Sequence, residues 1–195
     1  MNDYPVYLLN LFAIVKIEID TATGQLERGE ITVDQWRDEM EQIILRAALA
    51  AMMLGLDTEV LTAQAAQTVN EYVQGQQPYL DGFASDIESG ISGGWNGGWN
   101  IRAEMYGERT QELYWRGVTR FLRLPAYPGD CTSECMTSDR CMWILDWIDE
   151  ANLDVDAYWI DMKDKGVCKT CVRRGIQWSP LRIRNGVVPK ANVTD

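Results

Sequence analysis

All five cysteines of this chain lie between Cys131 and Cys171, in its last third. Cys131, Cys135 and Cys141 run as C-x3-C-x5-C. After a gap of 26 residues, Cys168 and Cys171 follow as C-x2-C. The start, Met1-Asn2-Asp3-Tyr4, lacks the positive region of a signal peptide, although Val6 to Val15 is fairly apolar. The expectation is therefore a product made in the cytoplasm, where thiols point to metal before a disulfide framework. Gly166-Val-Cys168-Lys-Thr-Cys171 offers two thiolates with the bite that zinc takes, and nearby Lys and Arg favour the thiolate form. The other half is less regular. Cys135 and Cys141 are the preferred partners, with Cys131 as the alternative ligand and Asp139 as an oxygen substitute. Reduced thiols without metal are the plain alternative, and disulfide or redox use is another. A redox CxxC would follow a strand in a thioredoxin-like βαβ unit, and none is visible. A bound Zn2+ would be structural, because the segment has few aliphatic residues and zinc can contribute roughly 10–16 kcal/mol to folding such a module. Iron is accepted by the same tetrahedral thiolate geometry.

The chain has no histidine. This excludes a Ser-His-Asp or Cys-His pair, an HExxH metalloprotease and a Cys2His2 finger. No other catalytic set stands out, so an enzyme is not expected. Net charge is −11, from 18 Lys and Arg against 29 Asp and Glu. Residues 1–124 hold nine basic side chains against eighteen acidic ones, whereas Lys165 to Lys190 holds seven basic and no acidic ones. An acidic body repels nucleic acid and favours solubility or a basic protein partner. The basic end offers Arg173, Arg174, Arg182 and Arg184 to phosphate, or packs on its own acidic body. No segment has the roughly 18–20 apolar residues of a membrane span, so no membrane partner is expected.

Residues 31–55 give the clearest helix. Thr32-Val-Asp-Gln35 fits a capping box, with Ile31 and Trp36 placed as a hydrophobic staple. Trp36, Met40, Ile43, Ile44, Ala47, Ala51 and Leu54 recur at helical spacing, and Gly55 supplies a stop. A second helix is predicted from Asp57, with a stripe of Leu61, Ala65, Val69, Tyr72 and Val73. Pro78 is expected to break or kink it, and a further helix carries Leu80, Phe83, Ala84, Ile87 and Ile91. The tandem GGWN repeat over residues 93–100 reads as a linker. A third long helix is predicted from about Ile101 to Leu124, burying Met105, Tyr114, Trp115, Val118, Phe121 and Leu122. After Pro125, Met142–Ile148 and Ala157–Met162 read as short strands or helical turns.

Other features have a plain reading beside the functional one. Asp146, Asp149, Glu150, Asp154 and Asp156 lack the spacing of a calcium loop, so a solvated acidic face is the better reading. Trp36, Trp115, Trp143, Trp147 and Trp159 sit in apolar patterns and read as core. Trp95 and Trp99, in the glycine repeat, are the indoles expected to anchor a partner. Tyr4, Tyr7, Leu11 and Phe12 in the apolar N-terminal segment are the other candidate docking residues.

Several stretches resemble a family of small proteins encoded in the head-gene region of tailed bacteriophages and prophages. Tyr79-Leu-Asp-Gly-Phe-Ala-Ser-Asp-Ile-Glu-Ser-Gly90 resembles its YLxGFAxDIxxG stretch. Arg102-Ala-Glu-Met-Tyr-Gly107 and Tyr114-Trp-Arg-Gly117 resemble RAxxYxxxxRxxYWRG. Leu124-Pro-Ala-Tyr-Pro-Gly-Asp130 with Cys135, Cys141 and Trp143 resembles LPAYPGDG…C…CxCxW. Tyr158-Trp159, Cys168, Cys171 and Trp178-Ser-Pro-Leu181 resemble YWxL…HCxxC…WSPL. The resemblance covers about residues 22–185, and its cysteine ending is also similar to Mu-type minor head proteins. Family members tend to have histidine where this chain has Val167, cysteine where it has Asp139, and glycine where it has Cys131. A site of Cys135, Cys141, Cys168 and Cys171 survives these changes.

The resemblance implies a non-enzymatic virion component at the head, portal or neck, present in several copies. Capsid, portal or neck proteins would be its partners. A zinc-dependent nucleic-acid-binding factor is the alternative, and a capsid decoration or cement protein a third. The expected architecture is mainly α: an N-terminal docking arm over 1–30 and a body of three to five helices to residue 124. A cysteine-rich, zinc-binding module with short strands over 125–186 and a flexible tail over 187–195 complete it.

Overall fold

The computed structural model describes residues 6–90, 98–130, 141–160 and 168–188. Tyr4, Ile91, Trp95, Cys131, Cys135, Asp139 and Val167 lie outside the described residues. The element order is α1 (Val6–Glu27), α2 (Val33–Leu56), α3 (Ala63–Glu88), α4 (Asn100–Arg109), α5 (Gln111–Leu122), β1 (Met142–Asp149), β2 (Asp154–Ile160), α6 (Lys169–Gln177) and β3 (Leu181–Ile183). The protein is thus mainly helical, with a small C-terminal region of short antiparallel strands that also holds the described cysteines. It divides into two compact units: Met1–Leu54 with Thr58–Tyr114, and Gly55–Asp57 with Trp115–Asp195.

In the first unit the apolar N-terminal segment is a 22-residue helix, α1, longer than Val6–Val15 alone indicates. It ends where Gly29 takes φ 71° and the Glu30 N–H reaches the Gln25 carbonyl at 2.9 Å, a Schellman closure. The capping box of α2 is formed. The Thr32 N–H donates to Gln35 Oε1 at 2.9 Å, and the Gln35 N–H donates to Thr32 Oγ1 at 3.2 Å. Its buried stripe includes Trp36, Met40, Ile43, Ile44, Ala47 and Ala51, as the spacing predicts. Gly55 does not stop it. The helix runs to Leu56, and Asp57 takes the left-handed conformation (φ 50°) while the Thr58 N–H bonds the Met53 carbonyl at 3.1 Å.

The next helix starts at Ala63 rather than Asp57, because Thr62 caps it by accepting the Ala65 N–H at 3.2 Å. It also continues through Pro78, so the two helices expected around that residue are one 26-residue α3. Pro78 is exposed, and the buried stripe of Tyr72, Val73, Leu80, Phe83 and Ile87 passes across it. Tertiary burial on both sides outweighs the missing donor. Trp36 meets Phe83 edge-on at 5.2 Å, and Phe83 stacks with Tyr106 of α4 at 6.5 Å. Gly107 lets α4 approach α1 closely: a Cβ there would stand 3.0 Å from Val15 Cγ1 and 3.3 Å from Ile19 Cδ1.

The helix predicted over 101–124 is two helices, divided at Thr110. That residue is fully buried, and its hydroxyl donates to the Gly107 carbonyl at 2.6 Å. A threonine that bonds back to its own turn competes with helix propagation. Met105, expected in the core, is exposed, whereas Tyr114, Trp115, Val118 and Leu122 are buried and Phe121 is half-buried.

The second unit is built on the antiparallel sheet β1-β2-β3. Its register pairs Trp143 with Trp159 and Leu145 with Ala157, then Ala157 with Leu181 and Val155 with Ile183. Trp143, Trp159 and Trp178 form a three-indole cluster, with ring centroids 5.1 to 5.8 Å apart. The loop after α5 is fastened to the sheet by the Trp143 indole N–H, which donates to the Ala126 carbonyl at 2.9 Å.

Candidate functional site

The sulfur-bearing residues of the second unit are placed by the β1–β2 hairpin and α6. Cys141 precedes β1 and is buried. Met142 pairs with Ile160, so Cys141 lies at the end of the hairpin from which the chain departs towards Cys168. Cys168 is the N-cap of α6, with extended backbone (φ −67°, ψ 152°), and its Sγ accepts the Cys171 N–H at 3.3 Å. Cys171, in the first turn, is fully buried. A backbone donor at a helix N-terminus favours charge on sulfur, the state in which a thiol binds metal. The donor chemistry of this turn therefore fits a soft metal such as zinc. Among the described residues, no group of three His, Cys, Asp or Glu side chains is assembled around one point. Cys131 and Cys135 lie outside the described residues.

The arginines beside this turn divide into two kinds. Arg174 is 6% exposed; its Nη2 lies 3.3 Å from Asp130 Oδ2, and its guanidinium sits 5.1 Å from both the Trp159 and Trp178 ring centroids. Its role is to clamp the loop after α5 onto the indole cluster. Arg184 donates to the carbonyls of Val155 and Ile183 at 3.2 and 2.7 Å and pairs with Asp156 at 2.7 Å. Arg173 and Arg182 are exposed. Of the four arginines offered to phosphate, two are thus engaged inside the unit and two face solvent.

The acidic residues of the hairpin serve its turns. Asp149 accepts from the Asn152 backbone and side chain at 3.2 and 2.7 Å, and these bonds hold its carboxyl below the usual carboxylate range. Asp154 accepts the Asn185 N–H at 2.7 Å. Asp146 and Glu150 are exposed. Trp147, read as core from its pattern, is 38% exposed near a register irregularity of β1.

In the first unit the docking residues are spread around α1. Tyr7 is half exposed, and its hydroxyl lies 3.5 Å from that of Tyr114. Burial raises the Tyr114 hydroxyl far above the ordinary phenol range. Leu11 and Phe12 are half-buried. Trp99 is 7% exposed, so its indole is packed within the protein rather than presented to solvent. The outward positions of α1 are instead Val6, Leu9, Ile14 and Ile17. At about 100° per residue, Val6, Ala13 and Ile17 fall within about 40° of one another, opposite the buried Leu8, Val15 and Ile19. Ile14 flanks that stripe. The exposed side of α1 therefore carries Val6, Leu9, Ala13, Ile14 and Ile17, interrupted by Asn10 and Asp20. Asp130 was missed, because nothing local links it to Arg174, 44 residues away.

No protein-family model matches the chain, and no curated protein or solved structure matches it either.

Proposed function

We propose that this chain is a non-enzymatic structural component of a tailed-bacteriophage particle, held at the head, portal or neck by protein–protein contacts. The observation that carries the reading is the outward face of α1, where Val6, Ile14 and Ile17 are 73%, 56% and 65% exposed. Isolated exposed apolar residues are ordinary, but a stripe of them along one helix is what an assembly contact uses. The sequence resemblance supplies the particle, and the acidic net charge agrees with a protein partner over nucleic acid. In this reading the second unit is a structural zinc module. Cys168 and Cys171 supply the turn, Cys135 and Cys141 complete the set, and Cys131 is the alternative ligand. The metal would tie the segment that leads into β1 to the head of α6.

The test is peptide mass spectrometry of purified phage particles made from a genome encoding this chain. The chain should be present in the particles. Ile14→Asp/Ile17→Asp should remove it from them while the isolated variant keeps its helical circular dichroism. Absence of the unmodified chain from the particles, or incorporation of the variant at the same level, would defeat the proposal.

A further inference from the structure

A pocket of about 100 Å³ opens on the helical unit between α3 and α4, lined by Tyr79, Arg102, Met105, Tyr106 and Arg109. Its polar groups are not equivalent. Arg102 is engaged by Asp86 at 2.5 Å and lies over the Phe83 ring at 4.3 Å. Arg109 makes no hydrogen bond or ion pair among the described residues, and it is exposed. The Tyr106 ring is buried, and its phenol feels the charges of Arg102, Arg109 and, with opposite sign, Asp81. Tyr79 and Met105 are exposed and form an apolar wall.

Arginine presents a planar fork of donors that matches an oxyanion, and a phenol adds a further donor. Tyr, Met and Arg together are also the composition of protein-binding hot spots. The volume sets the size of the guest. About 100 Å³ is room for a group the size of a carboxylate or a phosphate. The surrounding charge decides between these. Residues 1–124 carry eighteen acidic and nine basic side chains, a field that opposes a polyanion but costs a single carboxylate little.

We propose that this pocket receives a single carboxylate side chain from a peptide segment of a partner protein, with Arg109 and Tyr106 as donors and Tyr79 and Met105 packing beside it. The site is separate from the α1 face and from the cysteine turn, and it stands whether or not the chain belongs to a phage particle.

The probe is the peptide acetyl-Phe-Glu-amide, which carries one carboxylate, titrated into the full chain while the arginine Nε–H resonances are followed by NMR. Arg109 should shift saturably, and Arg109→Gln should weaken the peptide about tenfold, as loss of a charge-assisted bond does. Tyr79→Ala should weaken it by a smaller factor, and Asp81→Asn should tighten it by removing a like charge. Arg109 and Tyr79 are exposed, so these variants fold, which the amide spectrum checks directly. An Arg109 resonance that ignores the peptide, or an affinity unchanged in Arg109→Gln, would overturn the proposal. So would a shift of Arg109 by inorganic phosphate or short single-stranded DNA where the peptide gives none.

Discussion

Trp36 and Trp159 are both buried indoles, yet they are held in different ways. Trp36 starts a stripe on α2 that continues through Met40, Ile43, Ile44, Ala47 and Ala51, and its ring meets Phe83 edge-on. Burial there is shared among many small and aliphatic side chains on long helices. Trp159 packs edge-on against both Trp143 and Trp178, under the Arg174 guanidinium, on a three-stranded sheet whose buried aliphatic residues include Val155, Ala157, Leu181 and Ile183. Burial there centres on three mutually packed indoles and the Arg174–Asp130 pair, beside a short aliphatic row on the strands. The lesson is that a single substitution is diluted in the first unit and concentrated in the second.

Removing one member of the indole cluster should have the largest effect. Trp159→Ala is expected to cost the second unit about 3–5 kcal/mol, measured by urea unfolding followed through tryptophan fluorescence. A loss below about 1 kcal/mol would show that the cluster does not hold the sheet. Next comes the clamp. Asp130→Ala leaves the Arg174 guanidinium buried without that carboxylate and should cost about 3 kcal/mol. Asp130→Ala/Arg174→Met should lose less than the single variant, since the buried charge is removed together with its carboxylate. A double variant no better than the single one would mean that Arg174 acts through packing alone.

The helical unit should respond more mildly. Gly107→Val drives a branched side chain into Val15 and Ile19 and should cost about 1–3 kcal/mol in thermal or urea unfolding. An unchanged midpoint would show that α1 can retreat from α4. Thr32→Ala removes one half of the capping box and should cost about 1 kcal/mol. An effect as large as that of Trp159→Ala would erase the contrast between distributed and concentrated burial.

Local chemistry made much of the helical unit legible. The reciprocal Thr32–Gln35 bonds and the stripe from Trp36 to Ala51 are short-range features, and both are present as read. Element boundaries were harder. Asp57, not Gly55, adopts the left-handed conformation that ends α2, which a preference for glycine alone does not foresee. Pro78 reads as a break, but the apolar stripe on both sides keeps α3 whole. Thr110 divides α4 from α5 through a hydroxyl bond that hydrophobic spacing does not reveal.

The candidate sites were legible only in part. The CxxC spacing located the turn at the head of α6, because two thiols three residues apart share one turn. Pairs distant in sequence, such as Asp130 with Arg174, leave no periodic trace. The pocket at Arg102 and Arg109 arises where α3 and α4 meet, and neither helix alone marks it.

Native mass spectrometry of the full chain tests the structural reading most directly, because one spectrum weighs both the metal and the copies. The expected species carries one zinc per chain and more than one copy. Cys168→Ser/Cys171→Ser should remove the metal mass, and Ile14→Asp/Ile17→Asp should reduce the assembly to monomer. A metal-free monomer, with both variants indistinguishable from the unmodified chain, would contradict the zinc module and the α1 assembly face together.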